Sequence, residues 1–166
     1  MKKVAIVMGS ANDLPVMKAA VSMLAELQIP TVVRVLSAHR TPAQAAEFAQ
    51  KAREENFGVI IAAAGKAAHL AGAIAAQTTL PVIGVPVKSS TLDGLDALLS
   101  TVQMPAGIPV ATVAIDGAQN AALLAAEILA VTDETVAAGL QALRSQMRDK
   151  VLQSDAAVEQ ELALSL

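Results

Sequence analysis

Short runs of apolar, β-branched residues alternate along this chain with longer stretches rich in alanine and leucine. That alternation predicts a parallel sheet whose strands are joined by crossover helices. Strands are expected at residues 3–8, 31–36, 58–64, 81–85 and 110–115, and helices at 13–27, 42–55, 67–77, 92–102 and 117–130. Helix-start signals support the alternation. Thr41-Pro42-Ala43-Gln44 offers a threonine cap, proline at the first helical position and a capping-box glutamine, and Asp116-Gly117-Ala118-Gln119 repeats the device with aspartate. From residue 133 to 166 the apolar positions Val136, Leu140, Leu143, Met147 and Val151 recur at spacings of three and four. This tail therefore reads as one further helix, or two, with a single apolar stripe that packs on its own domain or grips a neighbouring subunit. No linker or internal repeat interrupts the pattern, so residues 1–166 are expected to form one doubly wound α/β domain.

Composition sharpens the picture. The chain is 54% hydrophobic with a mean hydropathy of +0.53, and only 16% of its residues are charged. Such values fit a membrane protein or a subunit that hides surface against copies of itself. A membrane helix needs about 18 uninterrupted apolar residues, and Gly65-Lys66 and Glu127 break the best candidates. A homo-oligomer without membrane contact is the better expectation. Lys2 and Lys3 before a short apolar run faintly resemble a signal peptide, but Gly9 and Asp13 end the run early, as in a first buried strand. There is no cysteine, which rules out disulfide and thiolate chemistry and fits a cytoplasmic location. A net charge of −3 and just two aromatics, Phe48 and Phe57, argue against a nucleic-acid partner.

In an open parallel sheet, ligands bind beyond the carboxyl ends of the strands. Three loops there are rich in small and functional residues, and they hold both histidines of the chain. In Met8-Gly9-Ser10-Ala11-Asn12-Asp13 a glycine, a hydroxyl and the following helix start suit an anion, while Asp13 either accepts from ribose hydroxyls or caps the helix. In Ser37-Ala38-His39-Arg40-Thr41-Pro42 the serine and the planar guanidinium offer phosphate donors beside a titratable ring. The third loop, running from Ala62 to Gly72, follows the most hydrophobic strand, at mid-sheet. Its alanines and Gly65 leave a dry recess for a flat ring, with His69 beside it. Taken alone, a histidine early in a helix is more often structural than catalytic; here no cysteine, tyrosine or tryptophan could serve instead.

Other chemistries lack their residues. Gly65-Lys66 is not a P-loop, because Ala67 and Ile60 stand where Ser/Thr and the first glycine belong, and there is no GxGxxG. The histidines lie on separate loops without HxxxH or cysteine, so no metal is expected. A Ser-His-Asp hydrolase built from Ser10, a histidine and Asp13 lacks the GxSxG elbow. A receiver-type signalling module would need an aspartate where Ala63 and Ala64 stand, and a flavin carrier would need loop aromatics.

Together the segments VAIVMGS (4–10), SAHRTP (37–42), AAHL (67–70), VIGVPV (82–87), STVQMPAGIP (100–109) and NAALLAAEI (120–128) resemble the class I 5-(carboxyamino)imidazole ribonucleotide mutases of purine biosynthesis, in that family's order from about residue 3 to about residue 130. The resemblance implies a flavodoxin-like subunit of a homo-octamer, acting on a phosphorylated ribonucleotide without metal or organic cofactor. It implies Ser10, Ser37 and Arg40 as phosphate ligands, Asp13 on the ribose, His39 and His69 as active-site histidines with His69 the general acid–base, and Gly65 in the loop that closes over the imidazole. Two residues depart from the family's GGAAHLPG: Lys66 replaces the second glycine and Ala71 the proline. Asn12 also stands where serine is common. Lys66 is expected to point outward, because burying an unpaired ammonium is costly. The alternatives are a class II-like enzyme that carboxylates aminoimidazole ribonucleotide directly with CO2, and a non-catalytic flavodoxin-like nucleotide-binding module.

Overall fold

A computed structural model describes residues 1–163. Five parallel strands, β1 (Lys3–Met8), β2 (Thr31–Val35), β3 (Phe57–Gly65), β4 (Val82–Val87) and β5 (Ala111–Thr112), lie in the order β2-β1-β3-β4-β5. That is the flavodoxin-like order, with its switch point between β1 and β3. The helices are α1 (Leu14–Glu26), α2 (Pro42–Lys51), α3 (Leu70–Ala75), α4 (Leu95–Val102), α5 (Ala118–Ala130) and α6 (Glu134–Ala163). Among the described residues no helix is long and apolar enough to cross a membrane.

The inner strands β1, β3 and β4 are apolar on both faces because helices cover both, whereas the edge strand β2 is largely exposed. On one face Val4, Ile6, Val59, Ile61, Ile83 and Val85 meet Met17 and Leu24 of α1 and the alanines of α5. On the other, Ala5, Val7, Ile60, Ala62 and Val82 meet Ala45 and Ala49 of α2 and Leu70 and Ile74 of α3. Alternate strand residues thus feed two separate cores, as the two-residue period requires. Small side chains let α4 come very close: a Cβ on Gly84 would sit 2.4 Å from Thr101 Cγ2.

Several expected boundaries shift. The last strand shortens to Ala111–Thr112, and α3 begins at Leu70 rather than at residue 67. Neither expected capping box forms. Thr41 precedes α2, but its hydroxyl turns back to donate to Ser37 O and accept from Ser37 N–H, at 3.1 and 2.8 Å. Gly117, not Asp116, caps α5; Asp116 adopts a left-handed φ of 56° and its Oδ1 accepts from Lys88 N–H at 2.9 Å. Both side chains brace loops at the carboxyl end of the sheet instead of closing helices.

The tail is one helix, α6, of 30 residues, about 45 Å long at the usual rise. Residues 164–166 of the expected tail lie outside the described residues. Val136 and Leu140 are buried and Leu143 packs beside them, with Arg144 bridging to Glu127 of α5 at 2.6 Å. Met147 and Val151, further along the same stripe, are exposed. The stripe therefore packs on its own fold for its first turns only.

Candidate active site

Parallel register brings the ends of the strands level. Met8 pairs with Val35 on one side and Ala63 on the other, and Gly65 pairs with Val87. The loops that leave these strands must therefore stand in a row, and they enclose a cavity of about 570 Å³. Ser10, Asp13, Ser37, His39, Arg40, Gly65 and His69, the seven residues singled out from the sequence, all line it. Sequence reasoning missed the fourth wall, Lys88 and Ser89. Their position at the carboxyl end of a predicted strand was the available signal, but neither residue type is distinctive in a loop.

The first loop is built around a reciprocal capping box. Ser10 Oγ accepts from Asn12 N–H at 3.2 Å, and Asp13 Oδ2 accepts from Ser10 N–H at 3.1 Å. The Ser10 hydroxyl keeps its proton free to donate outward. Asp13 is buried, and loss of water raises its pKa above the usual carboxylate value, with the Ser10 N–H pulling it partly back. Capping and cavity lining are thus both true of Asp13.

The second loop is a tight turn tied to the first. Ser37 Oγ accepts from Arg40 N–H at 3.2 Å, and Arg40 Nη2 donates to Gly9 O at 3.1 Å. One nitrogen of the guanidinium is engaged, and the rest of the fork remains available to an anion.

The third loop begins where β3 runs tight against β4: a Cβ on Gly65 would lie 3.1 Å from Val87 O. Lys66 follows with φ 55°, in the left-handed region that favours glycine. His69 then precedes α3 and reaches across to the second loop, its Nδ1 2.9 Å from His39 Nε2 with the rings near perpendicular. One of these nitrogens must carry the shared proton and the other accept it. If His69 donates from Nδ1, its Nε2 faces the task of binding or releasing a proton with the tautomer already fixed.

One expectation changes here. The recess is not dry in the single chain, because His39, His69, Lys66 and Ala67 are all exposed. This chain by itself supplies only the floor and walls, so exclusion of water requires a cover from a bound ligand or another chain. Lys66 is exposed, as expected, and the residue is also part of the cavity lining.

Known proteins resemble this chain along most of its length. Residues 3–150 match the AIR carboxylase family. The chain is 57% identical over 148 residues to the N5-carboxyaminoimidazole ribonucleotide mutase of Pyrococcus horikoshii, covering 89% of this chain and 84% of that one. It is 51% identical over 160 residues to the mutase of Thermotoga maritima, covering 96% and 94%. The crystal structure of Treponema denticola PurE superposes with a TM-score of 0.85 at 28% identity, over 92% of this chain and 96% of the other. With its switch-point cavity, its paired histidines and this extent of similarity, the chain belongs to the AIR carboxylase family.

Proposed function

We propose that this chain is a cytoplasmic mutase of purine biosynthesis. It converts N5-carboxyaminoimidazole ribonucleotide into 4-carboxy-5-aminoimidazole ribonucleotide. The observation that carries the reading is the His39–His69 pair standing in the same cavity as Ser10, Ser37 and Arg40. Phosphate donors and a proton-transfer group share one small space, which is what an acid–base rearrangement of a phosphorylated nucleotide needs.

In this mechanism Ser10, Ser37 and Arg40 hold the phosphate, and Oδ1 of Asp13 accepts from the ribose hydroxyls. His69, protonated, gives its Nε2 proton to the exocyclic nitrogen as the C–N bond of the carbamate breaks. The bonding pair stays on nitrogen and CO2 is released into the pocket. Carbon 4 of the electron-rich ring then attacks CO2, and neutral His69 removes the ring proton to restore aromaticity. The histidine ends as it began, and no cofactor enters any step. His39 holds His69 through Nδ1 in both states, which keeps Nε2 aimed at the substrate. Gly65 and the backbone beside it lie against the imidazole, and the cover that completes the cavity retains CO2 between the two half-reactions.

The homo-octamer that the family resemblance implies is the assembly we infer. Exposed Val33, Val35, Leu95, Leu99 and Val102 favour self-association, as does a cavity left uncovered by one chain. Light scattering should give a mass of about eight chains, and a monomer would refute the assembly. For the reaction itself, substrate labelled with carbon-13 in the carbamate should be turned over in unlabelled bicarbonate. A mutase retains the label in its product. Label lost to the medium would instead identify a direct carboxylase.

A further inference from the structure

Three fixed cations line the cavity, Arg40, Lys66 and Lys88, against one carboxylate, Asp13. Two of the cations already have partners. Arg40 donates to Gly9 O, and Lys88 Nζ lies 3.2 Å from Asp93. Lys66 has neither an ion pair nor a side-chain hydrogen bond among the described residues. It is also exposed, so packing does not select it, and its φ of 55° is one that a lysine adopts at a cost a glycine would not incur. Among the charged residues of the cavity lining, Lys66 is thus the one that the hydrogen bonds and ion pairs of the described residues leave without a partner.

We propose that Lys66 recognises the carboxylate that migrates during the reaction. This rests on the function proposed above. The substrate carries two anionic groups, a phosphate and a carboxylate. The serines and Arg40 account for the first. The second must lie beside the proton-transfer group, and Lys66 stands three residues before His69 on the same loop. An ammonium there meets a charged group in the substrate and in the product, but a neutral molecule in the CO2 intermediate between them. Lys66 therefore binds the two carboxylated nucleotides in preference to the decarboxylated state. Its contribution lowers KM and, because it is lost on the way to the neutral intermediate, adds a similar amount to the barrier of the first chemical step. Removing it therefore raises KM and kcat together and leaves kcat/KM nearly unchanged. Because the site is open to water, the effect is modest, roughly two- to fivefold in affinity, and it shrinks as salt rises.

The test compares Lys66→Gly, Lys66→Gln and Lys66→Arg with the parent enzyme. Each is titrated with the 4-carboxylated nucleotide and with aminoimidazole ribonucleotide, which differ only by the carboxylate. The Gly and Gln variants should bind the carboxylated nucleotide about two- to fivefold more weakly and the decarboxylated one as before, while Arg keeps the parent affinity. KM for the carbamate substrate should follow the same pattern. Should Lys66→Gly misfold, Lys66→Gln decides the matter. Equal weakening toward both nucleotides, no weakening toward either, or the same loss in Lys66→Arg overturns the assignment and leaves the mutase reading standing. A parent protein that binds neither nucleotide overturns both.

Discussion

The two halves of the cavity are built on different terms. The half holding Ser10, Asp13, Ser37 and Arg40 is cross-braced: each loop closes on itself through side-chain to backbone hydrogen bonds, and Arg40 ties one loop to the other. The half running from Gly65 to His69 has less of it: from outside the loop, Thr101 Oγ1 donates to Ala68 O at 3.4 Å. His69 N–H bonds to Ala67 O, the two rings touch, and Lys66 sits in a left-handed conformation. A phosphate is a fixed, strongly charged object, and donors that are already in place bind it without paying again for their ordering. A reacting ring and a transient CO2 call for a loop that can settle around them. The difference suits the proposed division into an anchor on one side and chemistry on the other.

The largest way to break this contrast is to remove the proposed proton-transfer group. His69→Asn should lower kcat about a hundred- to ten-thousandfold and leave nucleotide affinity close to the parent value, since the anchor is untouched. Full activity in that variant would take His69 out of the mechanism. Arg40→Ala should do the reverse, raising KM roughly ten- to hundredfold, as expected for losing a charge-assisted hydrogen bond. Its effect should vanish with the dephosphorylated nucleoside. If nucleoside and nucleotide suffer alike, Arg40 is holding the loops together through Gly9 rather than binding phosphate.

Legibility in the sequence followed the same division. Strands and their carboxyl-end loops were readable because buried parallel strands are continuous apolar runs, and β1 was located to the residue. Once strand ends were known, sheet topology forced the loops together, so separate segments could be assigned to one cavity. Capping was misread at Thr41 and Asp116 because Thr and Asp bond whichever backbone group is nearest, and tertiary contacts offered Ser37 and Lys88 instead of the helix. The hydrogen bond between the histidines was not legible either. It depends on two loops meeting in space from positions 30 residues apart. Nor could periodicity show where the stripe on α6 leaves the core, since Leu143 and Met147 obey the same spacing with different surroundings.

The smallest expected effect concerns Asp13, and it separates its structural from its ligand-binding work. Burial raises the carboxyl pKa in the folded state above its unfolded value, with the Ser10 N–H opposing. The folded protein therefore holds this proton more tightly than the unfolded chain does. The associated stability is fully present below the unfolded pKa and is lost as pH rises through the folded one. At neutral pH the ionised group is a small burden to the fold. Asp13→Asn should lift that burden while still accepting from Ser10 N–H, so its urea midpoint should equal or slightly exceed the parent's near neutrality, and the gap should close on acidification. Asp13→Ala, which leaves Ser10 N–H without its acceptor, should cost about 1 kcal/mol. If the carboxylate is kept for the ribose, Asp13→Asn should also bind nucleotide more weakly, because a charged acceptor takes hydroxyl hydrogen bonds more strongly than an amide. An asparagine variant that is less stable at neutral pH and binds nucleotide as tightly as the parent would reduce Asp13 to a loop brace.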